Sequence, residues 1–204
     1  MTRMTRRMLG ASAFAALFAA SFAAAQAPQV VRIRATIESV SGTLINAKGR
    51  DGAEMKVQIA PNAPVNQVVK AALPDIKQGG YIAVTAMPQP DGSQKAGAIL
   101  IFPEALRGLG EGHRPWDLGP GSTMTNATVG SEVTGVNGAT LTVTYKGGEQ
   151  KVIVPTDCVI VKYQKASAAD LKAGQKIFVP AAKKLPDGTL QAPNIAFGDY
   201  GVWR

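Results

Sequence analysis

The sequence predicts an all-β protein: two tandem small OB-like β-barrels, each of about five strands and a short helix, joined by an irregular strap. Three observations lead there. Blocks of the first half recur in the second half in the same order, several segments alternate apolar and polar residues, and turn-forming residues separate those segments. The composition agrees, with 46% hydrophobic and 18% charged residues, as in globular domains. Glycine (22) and proline (13) together make up about 17% of the 204 residues, against roughly 12% on average, which implies many turns and short strands.

The chain opens with an export segment. The first acidic residue is Glu38, and before it stand Arg3, Arg6 and Arg7 followed by an Ala/Leu/Phe run. Basic start, apolar run and small residues Ala23 and Ala25 are the order of a signal peptide, residues 1–25, cleaved after Ala25. A membrane anchor is the competing reading, since the run approaches the roughly 20 residues a span needs, but the run is Ala-rich. Arg6 and Arg7 also permit the twin-arginine route. The expected location is therefore the periplasm, with no spanning segment after cleavage.

Net charge is +8, and without the three leader arginines it falls to +5. The remaining basic residues are spread along the chain, and aromatics are only 6%, so the clustered stripe and stacking platforms of a nucleic-acid binder are missing. The single cysteine, Cys158, lies in an apolar stretch and reads as a structural thiol, because no base or co-ligand is near it in sequence.

The first barrel is assigned to residues 26–102. Val31, Ile33, Ala35 and Ile37 alternate with Arg32, Arg34, Thr36 and Glu38, which sends the apolar set to one face of a strand. Turns follow at "GRDG" from Gly49 and "PDG" from Pro90, where proline presets φ and glycine takes φ > 0. Between the third and fourth strands, residues 63–73 read as helix or loop. The second barrel, residues 127–204, repeats the plan. Leu141, Val143 and Tyr145 alternate with threonines, "KGG" and a second "PDG" make turns, and Ser167 with Asp170 reads as a short helix start stopped at Gly174.

The two copies align block by block. "DIKQGGYIAV" (75–84) matches "DLKAGQKIFV" (170–179) at an offset of 95, and "PDGSQKAGAI" (90–99) matches "PDGTLQAPNI" (186–195) at 96. Val40 and Gly42 match Val136 and Gly138, and "KVQIAP" from Lys56 matches "KVIVP" from Lys151. A barrel of this size is marginal alone, so packing between the copies is expected.

These blocks, the "SVSGTL" and "GVNGATL" segments, the "KV" strand, the "D(I/L)KxG" turn and the closing "PDGxxxAxxI", resemble a bacterial family of exported OB-like repeats classed as a domain of unknown function. The segment from Phe102 is similar to uncharacterised periplasmic proteins sometimes labelled as metal-transport components. The resemblance implies a periplasmic accessory or binding role, and no catalytic residues come with it.

The strap, residues 103–126, is the unusual stretch. It holds the only histidine, His113, together with Trp116 and the charges Glu104, Arg107, Glu111, Arg114 and Asp117. Long irregular loops are usually functional or disordered, and a tryptophan argues against disorder. Arg107, Arg114, Trp116 and Asp117 could form a binding surface, with Trp116 as anchor and Arg114 forking onto a carboxylate or phosphate. The plainer alternative has the strap folding back over the seam between barrels, Trp116 as its plug and Arg114 paired with Asp117. Glu111, His113 and Asp117 are candidate metal ligands, although zinc or copper sites normally show several His or Cys at motif spacing.

No nucleophile elbow, phosphate loop or poised carboxylate pair is present, and no cofactor motif. The expected function is a non-enzymatic periplasmic binding or adaptor protein. Its alternatives are a metal-binding accessory factor and an envelope protein that docks on another protein through a sheet edge. The aromatic tail, "GDYGVWR" with Tyr200 and Trp203, is expected to dock rather than fray.

Overall fold

A computed structural model describes residues 30–135 and 138–198. Residues 1–29, which include the expected signal peptide, Val136, Asn137 and the tail 199–204 lie outside the described residues.

The chain is all-β. The first copy supplies β1 (Val30–Ser41), β2 (Leu44–Gly49), β3 (Glu54–Ile59), β4 (Val65–Lys70), β5 (Tyr81–Pro88) and β6 (Gln94–Ile101). The strap contains β7 (Gly112–Pro115). The second copy supplies β8 (Thr123–Gly135), β9 (Gly138–Tyr145), β10 (Gly148–Pro155), β11 (Val159–Ala166), β12 (Lys176–Lys184), β13 (Leu190–Ala192) and β14 (Ile195–Phe197). β13 and β14 together occupy the place of β6. Pro193 stands where the first copy has Gly97, and it has no N–H to continue the ladder.

Neither the segment read as helix or loop nor the one read as a short helix forms an α-helix. Within 63–73, Val65–Lys70 is strand β4 with loop on either side, and a single 3-10 turn, Leu73–Asp75, follows. In the second copy the short helix is likewise one 3-10 turn, Ala168–Asp170. Asp75 accepts from Ala72 N–H at 2.9 Å and Asp170 from Ser167 N–H at 2.8 Å, so both aspartates tie the chain into the turn. Each turn stops because the next residue, Ile76 or Leu171, is extended and buried in a core. The first copy thus has six strands and the second seven, or six with β13 and β14 counted as one, against the expected five.

Strand pairing closes two five-membered rings, and each ring takes strands from both copies. Ring one is β1, β2, β3, β13 and β12, closed by β1 against β12. Ring two is β8, β9, β10, β6 and β5, closed by β5 against β6. The boundary expected near residue 102, with one barrel on either side, is therefore not where the rings divide. The halves of the copies are exchanged.

Two apolar cores record the exchange. One joins Ile33, Ile37, Ile45 and Val57 of the first copy to Ile177, Val179 and Ile195 of the second. The other joins Ile82, Val84 and Ile99 to Leu141, Val143 and Val152. β4 and β11 carry the chain from one ring to the other and pair antiparallel, with Val68 opposite Tyr163. Val68 and Tyr163 are also repeat equivalents at the offset of 95. An approximate two-fold axis therefore passes through this pair, as it would at a symmetric dimer interface.

Candidate functional site

The two-fold axis runs into a cleft between the rings of about 430 Å3, within the range of small-molecule sites. Its walls come in equivalent pairs: Ala83 of β5 and Phe178 of β12, Thr85 and Pro180, Ala98 and Asn194. Leu100, Phe102, Leu109, Met124 and Tyr163 add apolar surface. Phe102 packs against Tyr81 at 5.4 Å and edge-on against Tyr163 at 5.6 Å between ring centroids, which fixes the floor. Burial pushes the Tyr81 hydroxyl up to about 12, with Glu111 adding to the rise, so it stays protonated.

Register pairs two polar residues across the axis. Arg34 of β1 lies opposite Phe178, and Asn126 of β8 lies opposite Ala83, the residue equivalent to Phe178. Arg34 and Asn126 therefore hold equivalent places on facing walls, and both line the cleft. Arg34 Nε and Asn126 Oδ1 are the two buried side-chain polar atoms without a hydrogen-bond partner among the described residues. Such atoms are uncommon and costly in native folds. Asn126 is otherwise engaged, its Nδ2 donating to Leu109 carbonyl at 2.8 Å.

The strap roofs this cleft and is partly regular. A 3-10 turn, Glu104–Leu106, begins it, and β7 pairs with β8 so that Arg114 lies opposite Met124. Period-two alternation along β7 turns Arg114 to the cleft and His113 to the other face. Trp116 ends the roof, half-buried, with the guanidinium of Arg32 4.0 Å from its ring centre, Arg114 at 5.5 Å and Arg34 at 5.6 Å.

Asp117 locks the strap to ring one. Arg34 donates both Nη atoms to its two oxygens at 2.7 Å, and Arg32 adds a third bond at 2.8 Å. The hydrogen bond from Arg34, joined by that from Arg32, holds the Asp117 carboxyl well below the usual carboxylate range. The expected pairing of Arg114 with Asp117 does not occur, because Asp117 is already occupied by two arginines of β1. Arg114 instead donates Nη1 to Gly110 carbonyl at 2.8 Å, and burial with nearby Arg32 lowers its pKa.

The remaining candidates are scattered. Arg107 lies outside the cleft, bound to Glu104 at 2.7 Å and to Gly79 carbonyl at 2.8 Å. Glu111 lines the cleft but accepts from Lys146 N–H at 2.9 Å. His113 Nδ1 is 2.8 Å from Thr125 Oγ1 and its ring stacks near Tyr145. Burial lowers the His113 pKa. Glu111, His113 and Asp117 therefore do not meet at a common point, and among the described residues no three His, Cys, Asp or Glu side chains are grouped to hold a metal ion. Cys158 packs beside the second core, its thiol pushed up to about 12 by burial.

Reasoning from sequence missed Arg32 and Arg34, which alternation put on the solvent side of β1. Their signal was the pair of arginines two residues apart on one strand face, with no acidic residue before Glu38. Among the described residues no helix is long and apolar enough to cross a membrane. Compared with models of protein families, with curated proteins and with solved structures, the chain finds no match in any of the three.

Proposed function

We propose that the protein is a non-catalytic binding protein that holds a small, largely apolar molecule in the cleft between its two rings. The observation that carries this reading is the strap-roofed cleft itself, apolar on its floor and walls and bounded at its mouth by Trp116 and arginines. A few polar groups converging on an apolar concavity is the usual composition of a small-molecule site. The leader-like segment with Arg3, Arg6 and Arg7, and the resemblance to exported repeats, support work in the periplasm after removal of residues 1–25.

The test is titration of the exported protein with a neutral apolar fluorophore, N-phenyl-1-naphthylamine, alongside the Ala98→Phe variant. Ala98 lines the cleft on β6, and a phenyl ring there projects into it. Saturable one-to-one binding that Ala98→Phe abolishes, with the melting temperature kept within a few degrees, supports the reading. Binding that the variant leaves unchanged contradicts it.

A further inference from the structure

The chemistry of the ligand follows from what the cleft leaves unpaired, on the premise that the cleft is a binding site. Arg32, Arg34 and Arg114 surround one indole ring, and Asp117 engages the first two. Arg114 has no carboxylate within ion-pair distance among the described residues, only the Gly110 carbonyl. A half-buried guanidinium beside another cation is unfavourable until an anion joins it. Glu111 also lines the cleft and discourages a second negative charge, so a group of charge −1 fits better than a phosphate monoester of nearly −2. A planar carboxylate also matches the edge of a guanidinium.

The facing walls supply the rest. Arg34 Nε offers an unused buried donor, and Asn126 Oδ1, its equivalent across the axis, an unused buried acceptor. One wall therefore calls for an acceptor and the other for a donor, with Leu100, Phe102, Phe178 and Tyr163 requiring an apolar body. We propose that the ligand is an apolar carboxylic acid carrying a hydroxyl or amide N–H, its carboxylate taken by Arg114 and Arg34 Nε–H and its donor by Asn126 Oδ1.

The test is calorimetric titration of the exported full chain with 3-hydroxyoctanoate, octanoate and octanamide, and of the Arg114→Gln variant with the last two. Gln keeps a donor for the Gly110 carbonyl while removing the charge. The expected order is 3-hydroxyoctanoate, then octanoate, then octanamide, with octanoate about tenfold or more tighter than the amide, as one charge-assisted hydrogen bond provides. Arg114→Gln brings octanoate to within about threefold of octanamide, and retained binding of the neutral fluorophore by the variant reports an intact cleft. Equal affinity of acid and amide for the wild type overturns the anionic assignment and leaves the binding reading standing. Absence of binding by all three, together with failure of the neutral fluorophore, overturns both. Binding that emerges only after residues 199–204 are deleted makes the chain's own tail the occupant and overturns the assignment to a free acid.

Discussion

The two walls of the cleft hold equivalent positions in the two copies, yet one presents Arg34 with Phe178 and the other Asn126 with Ala83. Exchange of strands produces a slot lined twice by the same face of the same element. Divergence then gives that slot a direction, cationic and bulky on one side, neutral and open on the other. The strap enlarges the difference, since Asp117 binds only the β1 wall and Arg114 roofs the β8 side. A symmetric frame with asymmetric contents suits a ligand with two unlike ends.

The largest expected effect probes whether the rings really share their strands. Ile82 and Ile177 are repeat equivalents, fully buried, in different rings. Ile82→Ala and Ile177→Ala should each lower stability by about 2–5 kcal/mol. Because each ring contains both copies, urea unfolding of either variant should remain one transition by fluorescence and circular dichroism. Two separated transitions, with each variant moving only its own, would break the comparison.

A smaller effect isolates the β1 wall. Asp117→Asn removes the partner of Arg32 and Arg34; Arg34 is largely buried, but Asp117 and Arg32 are partly solvated, so roughly 1 kcal/mol is expected. That corresponds to a fall in Tm of about 2–4 °C or less by calorimetry. The folded pKa of Asp117 is depressed, so its contribution is present above the ordinary aspartate value near 3.9 and is lost as pH falls below it towards the folded value. The Tm difference between wild type and Asp117→Asn should thus be constant from pH 5 to 7 and shrink below about pH 4. A difference that grows on acidification would contradict the pairing.

His113 faces the other side of the strap and should behave differently. Burial, with Arg114 adding, lowers its pKa, so the folded state resists its protonation. Stability then declines as pH drops through the ordinary histidine value near 6.5 towards the lower folded one. His113→Gln should flatten the pH dependence of Tm between about 5 and 7 while changing Tm at pH 8 little. An unchanged slope would show that His113 is solvated. The smallest effect belongs to Glu104→Gln, an exposed pair with Arg107 remote from the cleft, for which less than about 0.5 kcal/mol is expected by chemical denaturation.

Local features of this fold were readable because local chemistry decides them. The two "PDG" turns place Gly92 and Gly188 at φ 82° and 85°, where a side chain would be strained, and Asp91 and Asp187 hold the same backbone N–H groups two residues on. Alternation in β1 buried Ile33, Ala35 and Ile37 as read. Exchange of the halves was not readable, for a physical reason. β5 and β12 are equivalent in sequence and offer β1 the same apolar face and the same ladder, so no local pattern distinguishes them. The choice lies in the path of β4 and β11, and β4 falls within residues 63–73, read as helix or loop because a short apolar run is ambiguous. Arg32 and Arg34 were hidden by the same step, since a polar strand face becomes a cleft wall only when the other ring and the strap cover it.

Exchange of halves underlies both the two-fold axis and the cleft, and cross-linking tests it directly. In a Cys158→Ser background, Val30→Cys with Lys183→Cys joins residues paired across β1 and β12, at a separation suited to a disulfide. In an unexchanged tandem the partner of Val30 would instead be Pro88, the residue equivalent to Lys183. Rapid intrachain oxidation of the 30/183 pair with none at 30/88 is the predicted result, and the reverse pattern would contradict the exchanged fold.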